Sequence, residues 1–331
     1  MAFDDIRLEK GLYSGAGLTA NLEKADPSEN YRGTRLEKTD AFQRQLRRFG
    51  IKTSGRDSDR VEKFFSTSDS SVLFPEYVAR SVERGIRDGE ALDSILAATV
   101  NIDSPVYRSF SRAETEDAME LKDVAEGAFI PETTVTLSDK VVDLRKRGRM
   151  LTASYEALRY QRIDEFTLAL RRIGAYIARS QFTDAVAALI GETGDEPEDV
   201  PSAGSTLAYE DLLKLWNSFD GFNMDRLIVP PDLMEQMLAL SEFRTSNGGV
   251  TFRDKGVMIT PFGARVIRSS AAGSGRIIGL DSSAALEEIC SGGVVTDYDR
   301  LIDRQIERAA ITCTAGFSRV YKDAVKTLTV A

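Results

Sequence analysis

Any chemistry this chain performs must come from carboxylates, amines, guanidinium groups, hydroxyls and two thiols, because its 331 residues include no histidine. That absence removes Ser-His and Cys-His nucleophile pairs, most zinc catalysis and the usual proton shuttle near neutral pH. Gly248-Gly249 and Gly292-Gly293 are isolated pairs that read as turns, with neither a Walker loop nor a dinucleotide-binding glycine fingerprint around them. Cys290 and Cys313 are too few and too far apart for a disulfide framework or a closed zinc site. Cys313 lies in the alternating run Ile311-Thr312-Cys313-Thr314 and reads as a buried, reduced thiol. The 52 acidic residues show no spacing that marks any two as a catalytic pair. No catalytic, cofactor-binding or metal-binding residue emerges. What remains is charge pairing, and its candidates are Glu116, Glu120, Lys122, Asp123 and Glu126 against Arg145, Lys146, Arg147 and Arg149.

Those charges must be positioned by the stretch from Pro105 to Met150, which has the alternation of extended chain. Met119 and Leu121 alternate with charged residues, Val135 and Leu137 with Thr134, Thr136 and Ser138, and Val142 and Leu144 with charges again. The apolar parity flips between Leu137 and Val142, predicting a bulge near Asp139-Lys140. The expected product is a long, charged, two-stranded ribbon. Such a ribbon is marginal alone in water because neither face has a core to cover it, so a second copy of the same chain is the economical support.

The clearest helical pattern follows at once, from Tyr155 to Gly191. Ile163, Phe166, Leu170, Ile173 and Ile177 recur at three- and four-residue steps, and Val186, Leu189 and Ile190 continue the stripe. Arg171, Arg172, Arg179 and Asp184 fall largely outside it. Ser154 is placed to cap a short opening turn and Gly191 to end the rod, which from Asp164 to Ile190 would span roughly 40 Å.

Residues 1 to about 70 are polar and charge-mixed, with one helix predicted from Thr39 or Asp40 to Phe49 and a linker from Ser54 to Ser71 broken by Val61 to Phe65. They hold too little apolar material to fold alone and read equally as an arm on a neighbour or as a disordered tail. A helix follows with Pro75 at its first position and Val78, Val82 and Ile86 on one face, ended by Asp88-Gly89. A linker from Asp195 to Gly204 leads into a compact α/β section from about Leu207 to Val295. There Leu212 to Phe219 predict a helix with Trp216 in the core, Leu227-Ile228-Val229 a buried strand, and Pro231 a helix start. Val257 to Ile259, Ala264 to Ile267 and Arg276 to Leu280 predict further strands, and residues 296 to 331 return to alternation. The net charge of −9 argues against nucleic-acid or membrane binding driven by overall charge. No apolar run reaches spanning length and Met1 to Asp5 form no signal peptide, so a cytosol-like compartment is expected.

The order of these segments, with Ala125-Glu126-Gly127-Ala128-Phe129-Ile130-Pro131-Glu132, Leu151-Thr152-Ala153-Ser154 and the ending from Ala310-Ile311-Thr312-Cys313 to Val330, resembles the tailed-phage major capsid proteins of the Hong Kong 97 type. The resemblance implies an α+β Hong Kong 97-like fold with a long spine helix, an extended β-hairpin loop, and peripheral and axial domains. It divides the chain into an N-terminal arm (1–72), a first peripheral part (73–104), the extended loop (105–150), the spine part (151–206), the axial domain (207–295) and terminal peripheral strands (296–331). It further implies a non-enzymatic protein that assembles in a bacterial host cytoplasm into hexamers and pentamers of an icosahedral virion shell. Portal and scaffold or protease proteins would be its partners, and it would enclose double-stranded DNA without sequence-specific binding, with no cofactor and no membrane. Two other readings stay open: an encapsulin-type compartment around a protein cargo, and a histidine-free enzyme or small-ligand binder using residues 207–295.

Some members of this type weld their shells through an isopeptide bond between a loop lysine just before the proline and an asparagine near the C-terminus. Here Ile130 precedes Pro131 and no asparagine follows Asn247. The first 70 residues begin at Met1 and are shorter than the scaffolding segment many relatives lose, so they are expected to stay as an arm. Boiled, denatured particles should therefore run as single chains on a gel, and a covalent ladder would overturn that expectation.

Overall fold

The structure is a computed structural model that describes residues 6–8, 17–89, 91–104, 106–112, 123–127, 129–130, 135–191, 195–245 and 258–330. In chain order the first elements are α1 (Leu18–Ala25), α2 (Ala41–Arg48), α3 (Ser68–Ser71), α4 (Leu73–Arg87), β1 (Ala98–Asn101), β2 (Tyr107–Arg112) and β3 (Val135–Val142). Next come β4 (Arg145–Ser154), α5 (Tyr155–Tyr160), α6 (Ile163–Ile190), β5 (Glu198–Pro201), α7 (Tyr209–Asn217), β6 (Arg226–Val229), α8 (Pro231–Ala239) and α9 (Ser241–Thr245). The chain ends with β7 (Arg265–Arg268), β8 (Arg276–Leu280), β9 (Leu286–Cys290), β10 (Val295–Leu301), β11 (Ile306–Arg319) and β12 (Val325–Thr329). They form two compact units, one of Met1–Gly89, Lys146–Arg179 and Gly293–Cys313, the other of Glu90–Arg145, Ser180–Gly292 and Thr314–Ala331.

The first unit is built on the packing of α4 against α6. The 28 residues of α6 make a rod of about 42 Å. Ser154 Oγ accepts the amide of Ala157 and so caps α5, while Gly191 follows α6 with φ 77°. Both ends are as the sequence pattern predicts. Phe74 stacks on Phe166 at 5.8 Å and Tyr77 Oη meets Thr167 Oγ1. Farther along, a Cβ on Gly85 would lie 2.1 Å from the carbonyl oxygen of Arg171, and one on Gly174 would lie 2.1 Å from that of Val82. The two backbones therefore touch. The α4 helix starts at Leu73, two residues earlier than predicted, so Pro75 falls within its first turn. A missing N–H is harmless there, since the first amides of a helix have no intrahelical partner.

Residues 17–72, read as an arm or tail, instead find their apolar partners inside the first unit. Leu18, Leu22, Phe42, Leu46, Ile51, Val61 and Phe64 share one buried cluster with Leu73, Phe74, Val78, Ile163, Phe166, Leu170 and Ile311. The segment supplies one side of a core whose other side is α4 and α6. A buried ion pair holds its turns, with Arg44 Nε 2.7 Å from Asp26 Oδ2 and Arg44 Nη1 donating to the carbonyl of Thr39. The same unit contains the antiparallel pair of β10 with Ile306–Thr312 of β11, turned through Gln305 at φ 51°. The pairing of β4 with β11 explains Gly148, whose Cβ would clash with the Ile311 carbonyl at 2.6 Å.

The second unit holds a sheet in the order β5-β12-β8-β6-β7, covered by α7 and α8 through Leu212, Leu215, Leu233 and Met237. Two expectations are corrected by it. Strand β12 belongs to this sheet rather than with the preceding terminal strands, pairing β5 in parallel and β8 antiparallel. Glu198–Pro201, read as linker, is an edge strand, a position that tolerates Pro201. Of the run Val257 to Ile259, Val257 lies outside the described residues and Ile259 forms only a bridge with Arg265. Trp216 is 43% exposed beside Phe262, not in the core, because its neighbours Leu212 and Leu215 take the inward positions of α7. Elsewhere in the unit β1 pairs β9 in parallel, and β9 pairs Ala315–Arg319 of β11. In the first unit Cys313 is buried, as the pattern predicts.

Placing a methyl group or more at the α4–α6 contact should cost about 3 kcal/mol or more of stability, since backbone rather than a movable side chain stands in the way. Urea unfolding of Gly174→Val should show this, while Gly204→Ala, whose Cβ would meet nothing within 4 Å, should unfold like the parent.

Candidate assembly surface

Within the stretch expected to form the ribbon β2 pairs β3, while the alternation at Met119 and Leu121 lies outside the described residues. The antiparallel register of this pair steps from Arg108↔Val141 to Phe110↔Leu137, so the irregularity lies opposite Ser138–Lys140, where the apolar parity flips. Beyond that break the alternation faces inward. Val142 and Leu144 close on Gly316, whose Cβ would sit 2.9 Å from Leu144 Cδ2. Tyr107 Oη donates to Glu287 Oε2 at 3.4 Å, and burial together with that carboxylate pushes the phenol above its ordinary value. Arg145 Nη1 donates to Asp184 Oδ1 at 3.1 Å and Nε reaches Asp143 at 3.5 Å. The base of the ribbon is thus held by packing and by a half-screened ion pair.

Away from that base, residues 123–127 and 129–130 are all exposed. Phe129 is 101% exposed and Ile130 78%, side by side, with Val124 exposed a few residues before them. A lone exposed apolar side chain is ordinary; two adjacent bulky ones in water are less so. Asp123 and Glu126 flank them and form no ion pair among the described residues. Glu116, Glu120 and Lys122 lie outside the described residues.

Strand β4, which carries the basic candidates, pairs β11, whereas β3 pairs β2. Alternation along β4 also divides them, with Arg145, Arg147 and Arg149 on one face and Lys146 on the other. Arg147 is half-buried; Lys146 and Arg149 are exposed. Arg149 belongs to a group that sequence spacing did not assemble. Arg172 Nη2 donates to Tyr176 Oη at 3.3 Å and its guanidinium lies 5.7 Å from the ring. That hydrogen bond, then the charge of Arg172, and further the charges of Arg179 and Arg149, hold the Tyr176 phenol below its ordinary value. Leu168, 66% exposed, lies on the same outward stripe of α6 as Arg172, Tyr176 and Arg179, at three- and four-residue steps. The signal was present as the charged complement of the core stripe; what joined Arg149 to it was the fold. The result is a basic, partly apolar helix face in an acidic protein.

No group of three or more Cys, Asp or Glu side chains among the described residues is placed to hold a metal ion. No helix among them is long and apolar enough to cross a membrane.

Residues 138–302 match the model of a family described as phage capsid protein. No match is found among curated proteins. Among solved structures the chain is similar to the capsid of a native GTA particle, with TM-score 0.54 and 11% identity over 73% of this chain and 90% of that one. It is also similar to the holo-SrpI encapsulin complex from Synechococcus elongatus PCC 7942, with TM-score 0.52 and 12% identity over 71% and 85%. A third similar structure, from Microbacterium phage Oxtober96, has TM-score 0.50 and 11% identity over 72% and 90%. At such identities these likenesses concern the fold, which is the Hong Kong 97-like one expected from the order of the segments. Residues 138–302 thus carry a phage capsid protein domain on a Hong Kong 97-like fold, and the chain is a major capsid protein.

Proposed function

We propose that copies of this chain close an icosahedral shell of hexamers and pentamers around double-stranded DNA, the loop of each copy lying across the next. The observation that carries this is the pair Phe129 and Ile130, exposed to solvent in the segment between two strands whose base is held. Its complement on the neighbouring copy is the outward face of α6, where Leu168 offers apolar cover and Arg149, Arg172 and Arg179 offer charge opposite to Glu116, Glu120, Asp123 and Glu126. Such contacts at a rim confer register and partner choice, while the buried apolar anchors supply most of the affinity. A standard interface buries about 1,600 Å². Several interfaces per copy compound weak pairwise affinities, and closed symmetry stops growth at a finite size.

In this reading the extended loop begins near Pro105 and ends before β4, and the α/β section from 207 to 295 with its sheet forms the axial part around the symmetry axes. The protein works without catalysis, in the bacterial host cytoplasm, with portal and scaffold or protease proteins joining assembly. The fold is shared with an encapsulin, so the cargo separates the two readings: nucleic acid extracted from purified particles supports the genome container, and a protein cargo without nucleic acid overturns it.

Two substitutions test the contact. Phe129→Asp should abolish shells in sedimentation and negative-stain images while leaving the subunit's far-ultraviolet circular dichroism and melting unchanged. Arg172→Glu should impair assembly in the same way and move the lowest-titrating tyrosine, followed by ultraviolet absorbance, back toward the ordinary phenol value. Normal shells from both variants would remove the proposed contact.

A further inference from the structure

The structure holds a second charged feature besides the ribbon and the α6 face. An open cleft of about 690 Å³ in the first unit is lined by Arg35, Lys38, Arg47, Lys52 and Arg56, with Asp57 as its one acidic side chain. Five cations against one carboxylate stand out in a chain of net charge −9. All five side chains are exposed, and among the described residues Arg35, Lys38, Arg47 and Arg56 form no ion pair. Like charges left unpaired around one cleft repel one another, so the arrangement has an electrostatic cost in the free subunit that an anion would remove.

The backbone carrying these cations is fixed. Asp40 Oδ1 caps α2 by accepting the Gln43 amide at 2.7 Å, and the buried Arg44 ties the carbonyl of Thr39 to the same helix. Beyond α2, Asp59 Oδ2 accepts the Lys52 amide at 2.7 Å while the Asp59 amide donates back to the Lys52 carbonyl. Arg162 donates to the carbonyls of Gly55 at 3.2 Å and Arg56 at 2.6 Å. The walls are set and only the cationic ends are free to move.

We infer that this cleft binds the phosphodiester backbone of the enclosed DNA, giving the inner shell a weak, sequence-independent hold on its contents; the inference rests on the genome-container reading for the presence of DNA. An acidic protein segment is the less suitable occupant. The apolar lining, Leu46 and Ile51, is 7% and 5% exposed, so no open apolar socket exists for the anchor side chains that protein interfaces need. Cations with neighbouring hydroxyls, here Thr53 and Ser54, are what a phosphate backbone uses. No base-reading element enters the cleft, so binding is by charge.

The test uses the purified, unassembled chain and a fluorescent 30-base-pair duplex, followed by anisotropy between about 50 and 200 mM salt. Four unpaired cations predict that log K falls against log salt with a slope of about −3 to −4. Arg35→Gln with Arg47→Gln should flatten that slope by about 2 and weaken low-salt binding about tenfold, with circular dichroism and melting unchanged. The exposed Arg304→Gln, away from the cleft, should change neither. Parental slope and affinity in the double variant would overturn the inference, as would tighter binding of a polyglutamate peptide than of the duplex at equal salt. Because duplex binding by unassembled chains does not require shell closure, its failure counts against the cleft alone. Particles without nucleic acid count against the container reading alone.

Discussion

Two helices of the first unit meet backbone to backbone, and the rest of that unit is arranged around their contact. Gly85 on α4 faces the carbonyl of Arg171 and Gly174 on α6 faces that of Val82, with no room at either place for a methyl group. From there the contacts advance in the same direction along both helices, from Phe74 on Phe166 to Gly89 on Ala178. Close approach buries more of each helix than side chains meeting at the usual 8–10 Å between axes would. It also leaves a flank on which α1, α2 and the turns around Phe64 complete the core. Residues 17–72 thereby contribute to the subunit's own core.

Polar groups are dealt with close to where the chain turns. Arg319 donates to the carbonyls of Leu189 and Asp195, satisfying acceptors that the end of α6 would otherwise leave bare. Asp211 Oδ atoms accept the amides of Ala203 and Ala208 ahead of α7. Asp225 and Asp281 do the same for Ser282, Asn223 and Ser283 beside β8, and these hydrogen bonds hold the Asp281 carboxyl below its ordinary value despite its burial. Each unit is in this way largely satisfied internally. The pair Phe129 and Ile130, the arginine face of α6 and the basic cleft beside α2 are instead turned to solvent; the proposed shell contact uses the first two and the proposed hold on DNA the third.

Much of this was written in local pattern. Burial on one face of a helix leaves a 3.6-residue period, so α6 and its caps were legible to within a residue or two, and so was the buried thiol of Cys313. The flip in parity located the ribbon's irregularity because strand side chains alternate and one inserted step reverses their sense. Misreadings arose wherever a residue's partner is distant in sequence. Pairing of β4 with β11, and of β12 with both β5 and β8, follows from which edges lie free in space, and alternation is the same whichever edge is joined. Trp216 was placed inside by its size, whereas the phase of α7 puts Leu212 and Leu215 there.

By itself, then, the sequence determined that histidine-dependent chemistry lacks its residue and where the long helix runs, because both depend on residue type and near-neighbour spacing. The tertiary structure alone decided that Gly85 must meet Gly174 and that residues 17–72 belong to the core. It also gathered Arg149 with Arg172 and Arg179, and drew five scattered cations around one cleft. Those are juxtapositions of residues far apart in the chain or spread over separate turns, and Coulomb energy and steric exclusion act on distance in space, which one-dimensional spacing does not carry.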